Sequence, residues 1–210
     1  MLLVGYRGYG LSDDAPPTET GLVADAHAVL DEVARAEDLH AGGVWVFGRS
    51  LGGAVAVAAL EALHKRRPQS SSPPWLRGLL LENTFTSIPD MAGVVLPSLL
   101  ASVLSPFIWD TWRSADRIAD VGVPLLLLSG MRDEIVPPTQ MQGLYDIARS
   151  SASNPHRVVF ERFPGGGHND TWTQPKYLDA VASFLRETTP KAIVAVDDRR
   201  RSHHNMSSSI

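Results

Sequence analysis

Val44-Trp45-Val46-Phe47-Gly48-Arg49-Ser50-Leu51-Gly52-Gly53-Ala54-Val55-Ala56 is the stretch on which the fold of this chain turns. An apolar run, a Gly-Arg-Ser-Leu-Gly pentapeptide and a series of small residues reaching Leu60 follow one another without a break. The first part has the composition of a buried strand and the last that of a closely packed helix. A serine between them stands at the apex of a strand-to-helix turn, with glycines where a side chain would meet the neighbouring backbone. Such a turn exposes the Ser50 hydroxyl at the end of a sheet and aims the N-terminus of the following helix at it. The pentapeptide alone is a weak signal, and a plain turn serine is the alternative. Its setting makes Ser50 the candidate nucleophile.

Two more groups follow in chain order. Pro124-Leu125-Leu126-Leu127-Leu128-Ser129-Gly130 is a continuous apolar run ending in a turn, as expected of a parallel strand buried on both faces. Asp133 lies just beyond it, where a carboxylate can meet a histidine arriving from the next strand. A solvated loop acid, or the cap of a helix starting near Thr139, is the competing reading, and Glu134 is the competing carboxylate. His168 follows the strand-like Val158–Phe163 in Pro164-Gly165-Gly166-Gly167-His168-Asn169-Asp170, a loop free enough to carry an imidazole back over the sheet. His27, His40, His64, His156, His203 and His204 lie on polar helix faces, in loops or in the tail, and are read as solvated.

With these residues placed, the sequence resembles the alpha/beta hydrolases, in the branch of alpha/beta-hydrolase domain-containing protein thirteen and its bud-emergence (Bem-type) relatives. The resemblance is carried by Tyr6-Arg7-Gly8-Tyr9-Gly10-Leu11-Ser12, the Phe47–Ala56 elbow, Glu82-Asn83-Thr84-Phe85, Ile135-Val136-Pro137-Pro138 and Gly167-His168-Asn169-Asp170-Thr171-Trp172. It implies an α/β fold with a mainly parallel sheet and helices on both faces. It also implies a serine hydrolase with the triad Ser50, Asp133 and His168, acting on acyl groups that include palmitoyl thioesters on proteins. Full-length relatives suggest membrane association through a segment upstream.

The front of the chain departs from that pattern. Leu2-Leu3-Val4-Gly5-Tyr6 resembles the fourth strand of the full fold, so the first strands are expected to be lacking. No His-Gly dipeptide occurs, whereas the family carries one in the loop that gives the second oxyanion-hole donor. Leu51 N–H supplies the first, and losing one donor costs about 10²–10³ in turnover. Without the intervening strand, Leu2–Tyr6 either lacks a partner or pairs with Val44–Phe47. Accordingly, either Met1 is expected not to be the biological start, or the chain is expected to be a short isoform or a gene-model fragment.

Residues 1–187 are read as the catalytic domain and 188–210 as a disordered tail, with a cap-like insertion over about 88–118. Met91–Trp109 holds no charged residue, but Pro97 and Pro106 argue against a membrane span. Val94, Val95, Leu96, Leu99, Leu100, Val103, Leu104, Phe107 and Ile108 form either a cover for an acyl chain or plain helix packing onto the sheet. A membrane-touching patch is a third reading. A net charge of −4 without a basic stripe gives no reason to expect nucleic acid, and the absence of cysteine excludes disulfides and thiolate metal sites. No cofactor is implied, and no signal peptide is read in the sequence. Two alternatives to the esterase or thioesterase remain: a serine peptidase of the same fold, and a non-catalytic binding protein.

Overall fold

The computed structural model describes residues 1–67, 72–95, 110–151 and 156–190, with the side chains of 92–95 left aside. Four strands, β1 (Val44–Arg49), β2 (Leu76–Glu82), β3 (Leu125–Gly130) and β4 (Val158–Phe163), form one sheet in the order β1-β2-β3-β4, each pair parallel. The leucine-rich sequences of β2 and β3 follow from burial on both faces, whereas the outer strands β1 and β4 are only partly buried. Leu79, Leu81, Leu125 and Leu127 pack on one side; Leu80, Leu126 and Leu128 pack on the other.

The described helices are α1 (Glu19–Arg35), α2 (Glu37–His40), α3 (Leu51–Lys65), α4 (Ile88–Val95), α5 (Pro138–Ser150) and α6 (Tyr177–Thr188). The first face is covered by Val57 and Leu60 of α3 and by Met141, Leu144 and Ala148 of α5, with Leu30 of α1 at the margin. Tyr177 and Phe184 of α6 cover the second. Helices therefore stand on both faces, as the alternation of strands and helical stretches predicts.

α1 starts at Glu19 because Thr18 caps it: its Oγ1 accepts from Gly21 N at 3.2 Å. Arg7 locks the preceding glycine-rich turn to this helix, with Nε 2.9 Å from Asp25 Oδ2. That contact holds the Asp25 carboxyl below its ordinary range.

Leu2–Tyr6 is not a strand. Residues 1–5 are exposed and make no ladder, and β1 pairs with β2 alone among the described strands. An apolar pentapeptide becomes a strand only by exchanging backbone hydrogen bonds with a neighbour, and this one has none. The expectation of a partnerless segment holds, and that of direct pairing with Val44–Phe47 does not. The solvated reading of His64 is also corrected. Its Nδ1 is buried without a hydrogen bond, packed where Gly122 (φ +68°) leaves no room for a side chain.

Of the cap expectation, α4 and the segment from Asp110 onward are described; the side chains of Val94 and Val95, and all of Leu96–Ile108, lie outside the described residues. So does the tail from residue 191, including His203 and His204.

Candidate active site

β1 ends at Arg49 and α3 begins at Leu51, leaving Ser50 as the hinge with φ 52° and ψ −124°. A non-glycine residue there stores about 1–3 kcal/mol and persists only where its surroundings fix it. Two backbone groups of Ser50 are held by the end of β2 and the residues after it. Ser50 N donates to Glu82 O at 3.0 Å. Thr84 Oγ1 donates to Ser50 O at 2.7 Å.

Gly48 and Gly53 are required by contact, whereas the expected Gly52 is not, since a Cβ there would meet only the Tyr6 hydroxyl at an ordinary 3.5 Å. A Cβ on Gly48 would lie 2.4 Å from Gly52 O, and one on Gly53 would lie 2.6 Å from Thr84 Oγ1. Ser50 is half-buried. Leu51 opens α3, so its N–H is one of the donors that helix geometry leaves unspent, at the positive end of the helix dipole.

Asp133 and His168 meet at the C-terminal ends of β3 and β4. His168 Nδ1 donates to Asp133 Oδ2 at 2.8 Å, and both residues are buried. The other carboxylate oxygen, Oδ1, accepts from Ile135 N at 2.9 Å and Val136 N at 2.8 Å. The two oxygens thus divide their work: one folds the acid loop, the other holds the imidazole. Glu134 is exposed instead, and lines a polar cavity of about 340 Å³ with Arg132, Gly167, His168, Asn169 and Asp170.

Among the described residues no hydrogen bond joins Ser50 Oγ to His168. Catalytic hydrogen bonds are often open in unliganded sites and close on substrate.

Several residues around the site belong to stretches that carry the resemblance but have no part in the site expected from sequence. Glu82 is 1% exposed and accepts a hydrogen bond from the Tyr177 hydroxyl. Burial pushes its carboxyl above the ordinary range, opposed by Tyr177 and by the charges of Arg49 and His168. Tyr6 brings its hydroxyl to the elbow, 3.5 Å from where a Cβ on Gly52 would lie, and burial raises that phenol. Asn83 is buried with φ +46°, a backbone state in which Asn is one of the few non-glycine residues commonly found. A buried-type strand ending in Glu-Asn-Thr was the available signal. Among the described residues no three His, Asp or Glu side chains are grouped to hold a metal, and no described helix is long and apolar enough to cross a membrane.

Comparison with known proteins agrees with this fold. The alpha/beta hydrolase family pattern matches residues 2–184. The chain is 41% identical over 203 residues to the alpha/beta hydrolase domain-containing protein WAV2 of Arabidopsis thaliana, covering 91% of this chain and 62% of that protein. It is 38% identical over 188 residues to protein bem46 of Schizosaccharomyces pombe, covering 89% and 58%. It therefore spans about 60% of the length of these relatives. Among solved structures, the esterase Pf2001 of Pyrococcus furiosus superposes with a TM-score of 0.62 at 19% identity, over 88% of this chain and 69% of the other. At that identity the likeness bears on the fold alone. With the pattern spanning nearly all the described residues, the chain belongs to the alpha/beta hydrolase family.

Proposed function

We propose that this chain is a serine hydrolase that cleaves an acyl ester or thioester, with protein-bound palmitoyl thioesters among its candidate substrates. The observation that carries the reading is the buried 2.8 Å hydrogen bond between Asp133 and His168, taken together with a serine on a strained elbow. Ser50 Oγ attacks the acyl carbonyl carbon while His168 Nε2 takes its proton. Asp133 keeps the other ring nitrogen protonated and offsets the charge of the imidazolium.

The oxyanion of the tetrahedral intermediate lies against Leu51 N–H at the head of α3. Collapse breaks the bond to the alcohol or thiol, which leaves with the proton from His168. Water, deprotonated by the same imidazole, then attacks the acyl-enzyme and releases the acid and free Ser50. The esterase named in the structural comparison has the same fold and lends the reading support by analogy.

The test is labelling by a fluorophosphonate probe, together with hydrolysis of p-nitrophenyl and thioester substrates, in the wild-type chain and in Ser50→Ala. Labelling and turnover that vanish in Ser50→Ala are expected. A folded wild-type chain that neither labels nor hydrolyses would refute the reading in favour of a non-catalytic binding protein. Cleavage of peptides in preference to esters would move it to the peptidases.

A further inference from the structure

The residues that carry the chemistry lie at 50, 133 and 168, but the contacts between their loops converge on Asn83, directly after the end of β2. Its side-chain amide is spent in full. Oδ1 accepts from Gly130 N at 2.8 Å, the residue where β3 passes into the loop of Asp133. Nδ2 faces His168 O and Gly167 O, each at 3.2 Å, and Thr171 Oγ1 at 3.0 Å. Thr171 Oγ1 in turn donates to Gly167 O at 2.7 Å, closing the histidine loop on itself.

One amide therefore ties the root of the acid loop to the backbone of the histidine itself. The neighbouring Glu82 O and Thr84 Oγ1 hold the N–H and C=O of Ser50. Asn83 is 1% exposed, so none of these bonds has water as a substitute.

We propose that Asn83 is a positioning residue for His168, setting where the imidazole stands between Asp133 and Ser50; the proposal rests on the serine-hydrolase reading above. The amide is needed as donor and acceptor at once. Aspartate would keep the acceptor for Gly130 N and the tolerance of positive φ, but would turn an oxygen toward two carbonyls. The loop must then move away from residue 83, and His168 with it. A displacement near 1 Å is worth about 10² in rate at a reacting centre.

The experiment measures kcat and KM for p-nitrophenyl ester hydrolysis in the wild-type chain and in Ser50→Ala, Asn83→Asp, Asn83→Ser and Leu144→Ala. All are assayed at a temperature where circular dichroism shows each fully folded. Asn83→Asp is expected to lower kcat about 10²-fold with KM within about threefold. Asn83→Ser, whose hydroxyl ends one bond short of the amide's reach and so spans neither loop, should also lower kcat with KM kept. Leu144→Ala, a fully buried truncation in α5 away from the site, loses stability but not kcat.

Four results would overturn the assignment: Asn83→Asp with wild-type kcat, Asn83→Ser with wild-type kcat, a loss confined to KM, or an equal loss in Leu144→Ala. In each of these the serine-hydrolase reading stands as long as Ser50→Ala is inactive. If the folded wild-type chain is itself inactive, both fall together.

Discussion

Replacing Asp133 by asparagine isolates the chemistry of the acid from its structural work, because the structure dictates which way the new amide must face. Oδ1 of Asp133 accepts two backbone N–H groups, from Ile135 and Val136, at 2.9 and 2.8 Å. An asparagine can satisfy both only by placing its carbonyl oxygen there, since an NH₂ in that position would oppose two donors. Its NH₂ is then turned toward His168 Nδ1, where the carboxylate accepted at 2.8 Å.

A donor facing Nδ1 requires the ring to carry its proton on Nε2, and that nitrogen can no longer take the proton of Ser50. In serine hydrolases this tautomer error costs about 10⁴ in kcat, or about 5.4 kcal/mol at 1.36 kcal/mol per decade. The cost to stability is smaller. Two charge-assisted bonds become neutral ones, about 1–2 kcal/mol in all, which lowers Tm by a few degrees in a chain of this size. Steady-state hydrolysis of a p-nitrophenyl ester, with Tm measured alongside, reads both quantities. Glu134→Gln serves as the control and should keep wild-type activity, since that carboxylate is exposed on the cavity rim. Asp133→Asn retaining more than about a tenth of wild-type kcat/KM, in a folded chain, would refute the assignment of the acid.

Two further perturbations follow from the same region. Gly53→Ala places a Cβ 2.6 Å from Thr84 Cβ and Oγ1, a stiff side chain whose hydroxyl holds Ser50 O. Overpacking of this kind costs about 1–3 kcal/mol, so denaturant unfolding should show that loss together with a fall in probe labelling at Ser50. Unchanged stability would mean the elbow is looser than drawn. Glu82→Gln tests the buried carboxyl through pH. Its folded value is raised above the ordinary 4.5 by burial, so its contribution to stability is complete below the unfolded value and is lost as pH rises through the folded one. Glutamine still accepts from Tyr177 but never ionises. The Tm of Glu82→Gln should therefore gain on wild type as pH rises above the ordinary carboxylate range, and a difference that shrinks with rising pH would contradict the direction of the shift.

What the sequence makes legible here is local pattern, and what it hides is contact between distant segments. The runs at Leu79–Leu81 and Leu125–Leu128 became strands because burial on both faces demands continuous apolar residues, while those at Val44–Phe47 and Val158–Phe163 became the outer strands of the described sheet, only partly buried, with Phe47, Glu161 and Arg162 exposed. Glycines 48 and 53 likewise declare a close approach by their spacing around Ser50. The same pattern misleads at Leu2–Tyr6, since apolar character says nothing about whether a neighbouring strand is at hand. His64 misleads in the opposite way. A polar helix end suggested solvent, and only the approach of Gly122, far along the chain, buries its ring nitrogen.

The candidate site divides along the same line. Ser50, Asp133 and His168 each announce themselves by what precedes them in the chain, and the structure brings the last two into contact. Glu82, Asn83 and Thr84 stand in a stretch that carries the family resemblance, but nothing local gives them a part in the site; sheet order does. β2 lies between β1, which leads into Ser50, and β3, which leads into Asp133. Residues at its C-terminal end are therefore within reach of both loops, and of the histidine loop folded over them. A strand contributing no member of the triad is by position the one that can register all three, through contacts spanning 34 to 88 residues. Variation at 82–84 should accordingly disturb the geometry of the site more than variation of the exposed residues flanking Asp133, although the latter are closer to it in the chain.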